Sequence, residues 1–461
     1  MERMDTSDDD DFRAKSDAFV NWLQHRGATI SNKIQLADLR AQNAGRGVVA
    51  TEDLAEDEEL FSIPRSSILT LETTTIPENI RKEILKGNDD PWLSLIVGMV
   101  LEYLKGSDSP WKPYFDILPE NFDTLMFWND TELEYLEGST VVNKIGKDGA
   151  DSTFEEQLIP TIAQIAASLQ LSNARSTPEL MALCHRMGST IMAYAFDLEK
   201  PSDQTKNEED GWEEDEEEQE ILPKGMVPMA DMLNADADRN NAKLFYEDDK
   251  VVMKVIKPVK SGEELFNDFG NLPRADLLRR YGYVTDKYAK YDVVEIPSDM
   301  IKEQAQNQLK LPTKELNERW KYLDQQGVID DGYDVSRAGS EEGQFSDELC
   351  VLLNALAAPK ADFEKLMKKD KLPNTDLAAE AKAFLRSVLV HRYAMYRTPT
   401  EPAPSVENKL HFDMAVQVIE GEKQVLREAI ERLTPASKHL KKRAADTLED
   451  EAADIRKPTK K

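Results

Sequence analysis

The order in which strand-like and helix-like segments follow one another constrains the fold of this chain more than any other feature. Residues 27–71 alternate in polarity and are interrupted by Gly and Pro, a pattern of short strands and turns. Residues 91–198 have apolar residues at helical spacing, residues 226–294 return to short strands, and the chain after residue 296 is helical in pattern. A doubly wound sheet needs strands and helices that alternate throughout. The sequence therefore predicts an α+β fold in which a helical insertion splits a β-rich domain and an all-helical domain follows.

This order predicts four consecutive segments. They are a disordered acidic arm (1–18), the split β-rich domain (19–295) with its helical insertion (90–225), the helical domain (296–434) and a basic tail (435–461).

Two of these segments have strongly biased charge. Ten of the thirteen residues in Glu208–Glu220 are Asp or Glu, and like-charge repulsion predicts a disordered acidic linker over residues 200–221. The tail contains Lys441-Lys442-Arg443 and a second basic cluster at 456–461. Such clusters are typical of a nuclear localisation signal, and a solvated helix end is the alternative.

Charge and cysteine content exclude several classes of protein. Lys and Arg total 58 and Asp and Glu total 88, which gives a formal net charge of −30. We therefore expect a basic protein partner and no direct nucleic-acid binding. Cys184 and Cys350 are too few for a disulfide framework or a four-cysteine zinc site, and they favour a reducing compartment. No apolar run suits a signal peptide or a membrane span, so we expect no membrane partner. We also expect no metal.

Four short motifs are candidates for a functional site, and each has an ordinary structural explanation. Gly45-Arg46-Gly47 with Ala50 fits a dinucleotide fingerprint, but a strand-and-turn pattern follows it where the fingerprint needs a helix. A β-turn is the simplest explanation, and close approach of a flat ligand to a backbone without Cβ atoms is the functional one. The other motifs are Met226–Asn240, Gly262–Gly270 and Leu277–Val284, in which turn and core residues are the ordinary explanation.

Taken together and in this order, the motifs resemble those of the SET-domain lysine methyltransferases. The GRG turn comes first, and PMADMLN follows after the helical insertion. A strand pair, GEELFNDFG and RRYGY complete the series. The resemblance is to the Rubisco-methyltransferase-like branch, in which a helical insertion splits the SET domain, and it covers about residues 19–433.

The resemblance implies that S-adenosyl-L-methionine binds on one side of a core of short sheets and that the target lysine enters from the other side. Asn234 would hold the methionine part of the cofactor through its side-chain amide, and Tyr281 would pack on the adenine. The other implied cofactor contacts are Gly45, Arg46, Gly47, Tyr194 and Ala235, the last at a position where the family usually has His. The implied substrate-binding residues are Trp111, Ala195 and Asp197, and the helical C-terminal domain would also bind substrate.

The catalytic positions include one departure from the family pattern. The family usually has Tyr at position 269, where its hydroxyl helps to orient the lysine amine, but this chain has Phe269. Tyr246 and Tyr283 are the candidates to supply the hydroxyl. An aromatic channel suits the reaction, because a free lysine is only about 0.1% neutral at pH 7.4 and desolvation lowers its pKa.

The expected function is S-adenosyl-L-methionine-dependent protein-lysine N-methylation. We expect monomethylation of a basic protein of the large (60S) ribosomal subunit by a monomeric enzyme in the nucleus, with the cytoplasm as a further location. Two alternatives stay open. One is a SET-fold binding module with little turnover, and the other is an acidic chaperone for basic proteins.

Overall fold

A computed structural model of the chain describes residues 6–42, 45–86, 90–171, 173, 175–199, 222–341, 343–397 and 409–434, and residues 448, 451–453 and 455. The chain divides into two compact units. The first unit contains residues 1–122 and 146–270, and the second contains residues 123–145 and 271–461. The predicted acidic linker lies outside the described residues.

The helices up to residue 194 are, in chain order, α1 (Thr6–His25), α2 (Glu78–Lys86), α3 (Pro91–Leu104), α4 (Lys112–Phe115), α5 (Asp130–Leu133), α6 (Lys147–Thr153), α7 (Ile159–Ser168) and α8 (Thr177–Tyr194). Helix α5 belongs to the second unit and the others belong to the first. The strands of the first unit are β1 (Thr29–Ile30), β2 (Ile34–Asp38), β3 (Arg46–Ala50), β4 (Glu59–Pro64), β5 (Ala195–Asp197), β6 (Lys224–Met226), β7 (Asn234–Ala235), β8 (Ala242–Tyr246), β9 (Lys250–Val255) and β10 (Glu264–Asn267).

The strands of the first unit form three small sheets. The first has the order β1-β4-β9-β8, the second has the order β2-β3-β10-β7, and β5 pairs with β6. All of these pairs are antiparallel except β10 with β7, which is parallel. The runs Leu60–Ile63 and Val251–Met253 are buried, as expected of strands covered on both faces. The predicted strands at KLFYED, KVVMKV and ELFN are therefore present as β8, β9 and β10.

Residues 6–18 are helical, so the prediction of a disordered arm over residues 1–18 is wrong for this part. They form the beginning of α1, whose later residues Phe19 and Leu23 are fully buried. The ring of Phe19 stacks on that of Tyr114 with 6.1 Å between centroids. The acidic run occupies the first turns of α1, where the helix dipole favours negative charge. Charge alone therefore does not indicate disorder in this segment.

The second unit is mainly helical, as predicted. After α5 it contains α9 (Arg274–Tyr281), β11 (Val293–Pro297), α10 (Ser298–Gln308), α11 (Thr313–Gln325), β12 (Gly332–Ser336), α12 (Asp347–Ala357), α13 (Lys360–Lys368), α14 (Ala379–Ala394) and α15 (Lys409–Leu433). Strand β12 was not predicted. It pairs with β11 in a two-stranded antiparallel sheet, and its alternate residues Tyr333 and Val335 are buried.

The two units differ from the predicted segments at two places. Residues 271–295 and 123–145 belong to the second unit, whereas the sequence pattern places the boundary after residue 295. The pairing of β11 with β12 explains the first difference, because its hydrogen bonds join residues on both sides of that boundary. The second difference agrees with a buried hydrogen bond within this unit, in which the Ser139 hydroxyl donates to Glu422 of α15 at 2.7 Å.

Part of the tail packs against the second unit. Leu448 and Ala452 are buried with the core of the second unit, and Arg386 forms an ion pair with Glu451 at 3.0 Å. The basic clusters at 441–443 and 456–461 lie outside the described residues. Among the residues with described positions, no helix has the length and apolarity to cross a membrane, and no cluster of His, Cys, Asp or Glu could hold a metal ion.

Candidate active site

Strand β10 brings together two segments that are far apart in sequence. It pairs with β3 through Glu264 opposite Val49, and with β7 through Phe266 opposite Asn234. This arrangement places the Asn234 side chain beside the GRG turn, where its Nδ2 donates to the Arg46 carbonyl at 3.2 Å. The predicted cofactor segments around residues 45–47 and 234 are therefore neighbours.

The two glycines of the turn are needed for different reasons. Gly45 has a φ of +62° and nothing within 4 Å of the position that a Cβ would take, so its backbone is left-handed and open on that side. At Gly47, a Cβ would lie 2.5 Å from Leu39 Cδ1 and 2.8 Å from Glu264 Oε1. Gly45 thus permits close approach of a ligand, whereas Gly47 makes room for protein side chains.

The Arg46 side chain is directed to helix α1. Its Nη1 donates to the Ser16 hydroxyl at 2.5 Å, and its guanidinium lies 4.0 Å from the centre of the Phe12 ring. Burial lowers the pKa of Arg46 to about 10. Arg46 therefore presents its backbone, and not its charge, to Asn234.

Ala235 and Phe269 both lie next to the end of β10. Ala235 pairs with Asn267, the last residue of β10, and an Asx turn follows in which the Asp268 carboxylate accepts from the Gly270 amide at 2.7 Å. Phe269 is the half-buried central residue of this turn. The position that usually carries the family's tyrosine is thus two residues beyond the strand that contacts the Asn234 segment.

The predicted substrate residues Ala195 and Asp197 form the two ends of β5. Asp197 is exposed and forms an ion pair with Lys224 at 2.5 Å. Its backbone carbonyl accepts from the Tyr246 hydroxyl at 2.7 Å. Burial raises the pKa of Tyr246 above its ordinary value, so this hydroxyl stays protonated and is used to hold β5.

Trp111 lies in an aromatic cluster of the first unit and is fully buried. Its ring contacts Trp22 edge-on at 5.6 Å and Tyr114 at 6.4 Å, and the Arg26 guanidinium lies over it at 4.2 Å. Tyr194, the last residue of α8, is half-buried against the same core. Both residues have the surroundings of core aromatics, and their proposed contacts with substrate and cofactor stay predictions.

Sequence reasoning missed two acidic side chains, Asp231 and Glu264. Asp231 is 7% exposed, accepts from the Tyr114 hydroxyl through Oδ2, and has no hydrogen-bond partner for Oδ1 among the described residues. Glu264 accepts from Asn234 Nδ2 at 2.7 Å. An acidic residue within the apolar stretches PMADML and EELF was the available signal, because a buried carboxylate needs a partner.

The Asp231 carboxyl should make stability depend on pH. Burial raises its pKa from 3.8 to about 7, so between these values the folded chain keeps the proton that the unfolded chain loses. Wild-type stability should therefore fall, relative to Asp231→Asn, as the pH rises from 4 to 7. Three pKa units correspond to about 4 kcal/mol. Urea unfolding at several pH values measures the difference, with the exposed Asp268→Asn as control, and a difference that does not vary with pH would contradict the assignment.

Tyr281 and Tyr283 belong to the second unit. Tyr281 ends α9, and Gly282 caps the helix with a φ of +75°. A Cβ on Gly282 would lie 2.9 Å from the backbone of residues 123 and 124, so no larger residue fits. The two tyrosine rings are tilted at 6.3 Å, and burial raises the pKa of Tyr281 to about 12.

Comparison with known proteins agrees with the motif order. Residues 45–270 match the model of the SET domain family. The chain is 32% identical over 364 residues to ribosomal lysine N-methyltransferase 4 of Saccharomyces cerevisiae, covering 75% of this chain and 72% of that protein. It is 30% identical over 360 residues to human N-lysine methyltransferase SETD6, covering 75% of this chain and 71% of the relative.

Solved structures show the same fold. Rubisco LSMT bound to AdoMet superposes with a TM-score of 0.64 at 18% sequence identity, covering 96% of this chain and 93% of that chain. From the SET-domain match and the relatives that are 30–32% identical over three quarters of its length, this chain belongs to the SET-domain lysine methyltransferases, in the Rubisco-methyltransferase-like branch.

Proposed function

We propose that this chain transfers a methyl group from S-adenosyl-L-methionine to a lysine side chain of a basic protein. One observation carries the proposal. Because β10 pairs with both β3 and β7, the Asn234 side chain contacts the Gly45–Gly47 turn. The open, left-handed backbone at Gly45 and the polar side chain of Asn234 suit a flat nucleoside with a charged amino-acid end. When bound, the cofactor would supply a sulfonium methyl group that a neutral amine can attack in line, with S-adenosyl-L-homocysteine as the leaving group.

The residues of the chain would prepare the lysine for this displacement. Only the neutral amine is a nucleophile, so the site must remove both water and a proton from an ordinary lysine. Trp111, the expected wall of the lysine channel, and the half-buried Phe269 would offer ring faces that desolvate the amine and tolerate its remaining cationic character. Holding the amine in line with the methyl group would supply much of the remaining rate.

For the substrate, we propose a basic protein of the large ribosomal subunit that is monomethylated, with the helical C-terminal region contributing to substrate binding. The name of the yeast relative supports a ribosomal target, and the net charge of −30 suits a basic partner. We propose that the enzyme acts as a monomer.

Incubation of the purified chain with stripped large-subunit proteins and methyl-labelled cofactor tests this function. Label on one or a few basic proteins, with mass spectrometry showing one methyl group on one lysine, is the expected result. Cofactor binding in titration without transfer to any basic protein would favour the binding module, and absence of cofactor binding would favour the acidic chaperone.

We also propose that the basic tail directs the protein to the nucleus. The clusters at 441–443 and 456–461 have the composition of a localisation signal. A fluorescent reporter fused to residues 434–461 should accumulate in nuclei. The same reporter with Lys441, Lys442 and Arg443 changed to Ala should lose accumulation at least in part. An even distribution of the unchanged fusion would contradict the proposal.

A further inference from the structure

The side-chain amide of Asn234 is held in one orientation by two protein acceptors. Its Nδ2 donates to Glu264 Oε1 at 2.7 Å and to the Arg46 carbonyl at 3.2 Å. A carboxylate and a backbone carbonyl can only accept hydrogen bonds, and the amide nitrogen has two hydrogens to give. The amide nitrogen must therefore face these acceptors, and the amide oxygen is directed away from them.

Glu264 is positioned for this contact by the sheet. It is the first residue of β10, lies opposite Val49 of β3, and precedes the fully buried Leu265. Its carboxylate occupies the space beside Gly47, where a Cβ would lie 2.8 Å from Glu264 Oε1 and 3.0 Å from Asn234 Nδ2. The second glycine of the GRG turn thus makes room for the Glu264–Asn234 pair.

We propose that Glu264 is a positioning residue for the cofactor, which holds Asn234 so that the amide oxygen faces the α-ammonium group of S-adenosyl-L-methionine. The inference rests on the proposed function, in which Asn234 binds the methionine end of the cofactor. An amide free to rotate would also present its NH₂ group to the ammonium, and two donors repel. The hydrogen bond to a carboxylate is charge-assisted and therefore stronger than one between neutral groups.

The test compares two ligands on matched variants by isothermal titration. The ligands are S-adenosylhomocysteine and its deamino analogue, which lacks only the α-amino group. Glu264→Met keeps most of the side-chain volume beside Gly47 and removes the acceptor, whereas Glu264→Gln keeps an acceptor oxygen. Glu263→Met is the control, because Glu263 is the exposed neighbour and contacts the Lys260 amide.

We expect Glu264→Met to bind S-adenosylhomocysteine about ten- to a hundredfold more weakly, and the deamino analogue within about threefold of wild type. Glu264→Gln should recover most of the lost affinity, and Glu263→Met should bind both ligands normally. Melting temperatures confirm that the variants fold, and Glu264→Ala replaces Glu264→Met if the latter does not.

The outcomes separate this inference from the proposed function. Equal losses for both ligands in Glu264→Met would assign Glu264 a merely structural role and overturn the inference. Weaker binding in Asn234→Ala with normal binding in Glu264→Met would also overturn it, while leaving the cofactor site in place. Normal binding of S-adenosylhomocysteine in a folded Asn234→Ala protein would instead contradict the proposed placement of the cofactor.

Discussion

Phe269→Tyr should raise the rate of methyl transfer by about 10²–10³ without tightening cofactor binding. A positioned hydrogen-bonding group at a reacting centre contributes about 2.7–4 kcal/mol, by analogy with oxyanion-hole donors, and that free energy corresponds to this change in rate. Phe269 is half-buried in the turn after β10, so one added oxygen should cause little overpacking. Steady-state kinetics on a labelled ribosomal substrate give the rate, and titration gives the cofactor affinity.

The control for this change is Phe245→Tyr, which adds a hydroxyl to a half-buried phenylalanine of β8 in the same unit. It should leave the rate unchanged. If Phe269→Tyr has the same rate as an active wild-type enzyme, position 269 is not where the hydroxyl acts. Tyr246→Phe and Tyr283→Phe then identify a substitute, since loss of the substitute should abolish turnover.

Replacing Tyr246 can change turnover in two ways, by removing a hydroxyl at the reacting centre or by loosening β5, and kinetics distinguish the two. The Tyr246 hydroxyl donates to the Asp197 carbonyl, so Tyr246→Phe also frees one end of β5. A structural effect should weaken substrate binding and raise KM, because Asp197 is a proposed substrate contact. Loss of a hydroxyl from the reacting centre should instead lower kcat at saturating substrate.

The second large effect is expected for Asn234→Ala, which should bind S-adenosyl-L-methionine about ten- to a hundredfold more weakly. A hydrogen bond to a charged group contributes about 1.5–3 kcal/mol, and the alanine also loses the contacts that join β7 to the Arg46 carbonyl and Glu264. Isothermal titration on the folded variant measures the change.

Asn240→Ala is the matched control for this variant. Asn240 lies in the connection between β7, which contains Asn234, and β8, and its amide donates to the exposed Asp268 at 3.2 Å. Its replacement should leave cofactor affinity unchanged. An Asn234→Ala protein that is folded and binds the cofactor like wild type would show that the cofactor lies elsewhere.

The sequence by itself determined the fold class and the positions of several strands, including β10. Local periodicity predicts strands β8, β9 and β10 and the helices between residues 91 and 194. The spacing of apolar residues, which become buried on one face, can be recognised within a window of about ten residues. The GRG turn was also evident locally from its two glycines, and the left-handed backbone of Gly45 agrees with it. The order of these elements and their motifs was enough to indicate the family.

Only the tertiary structure decided which of these elements meet and which charged residues pack. The contact between Asn234 and Arg46 joins residues 188 positions apart, and Glu264 becomes a site residue only because β10 lies between β3 and β7. Likewise, the acidic beginning of α1 is helical and Ala452 is buried, although local charge predicts solvated segments. These outcomes depend on contacts with residues that are distant in the sequence, and a local pattern contains no information on such partners.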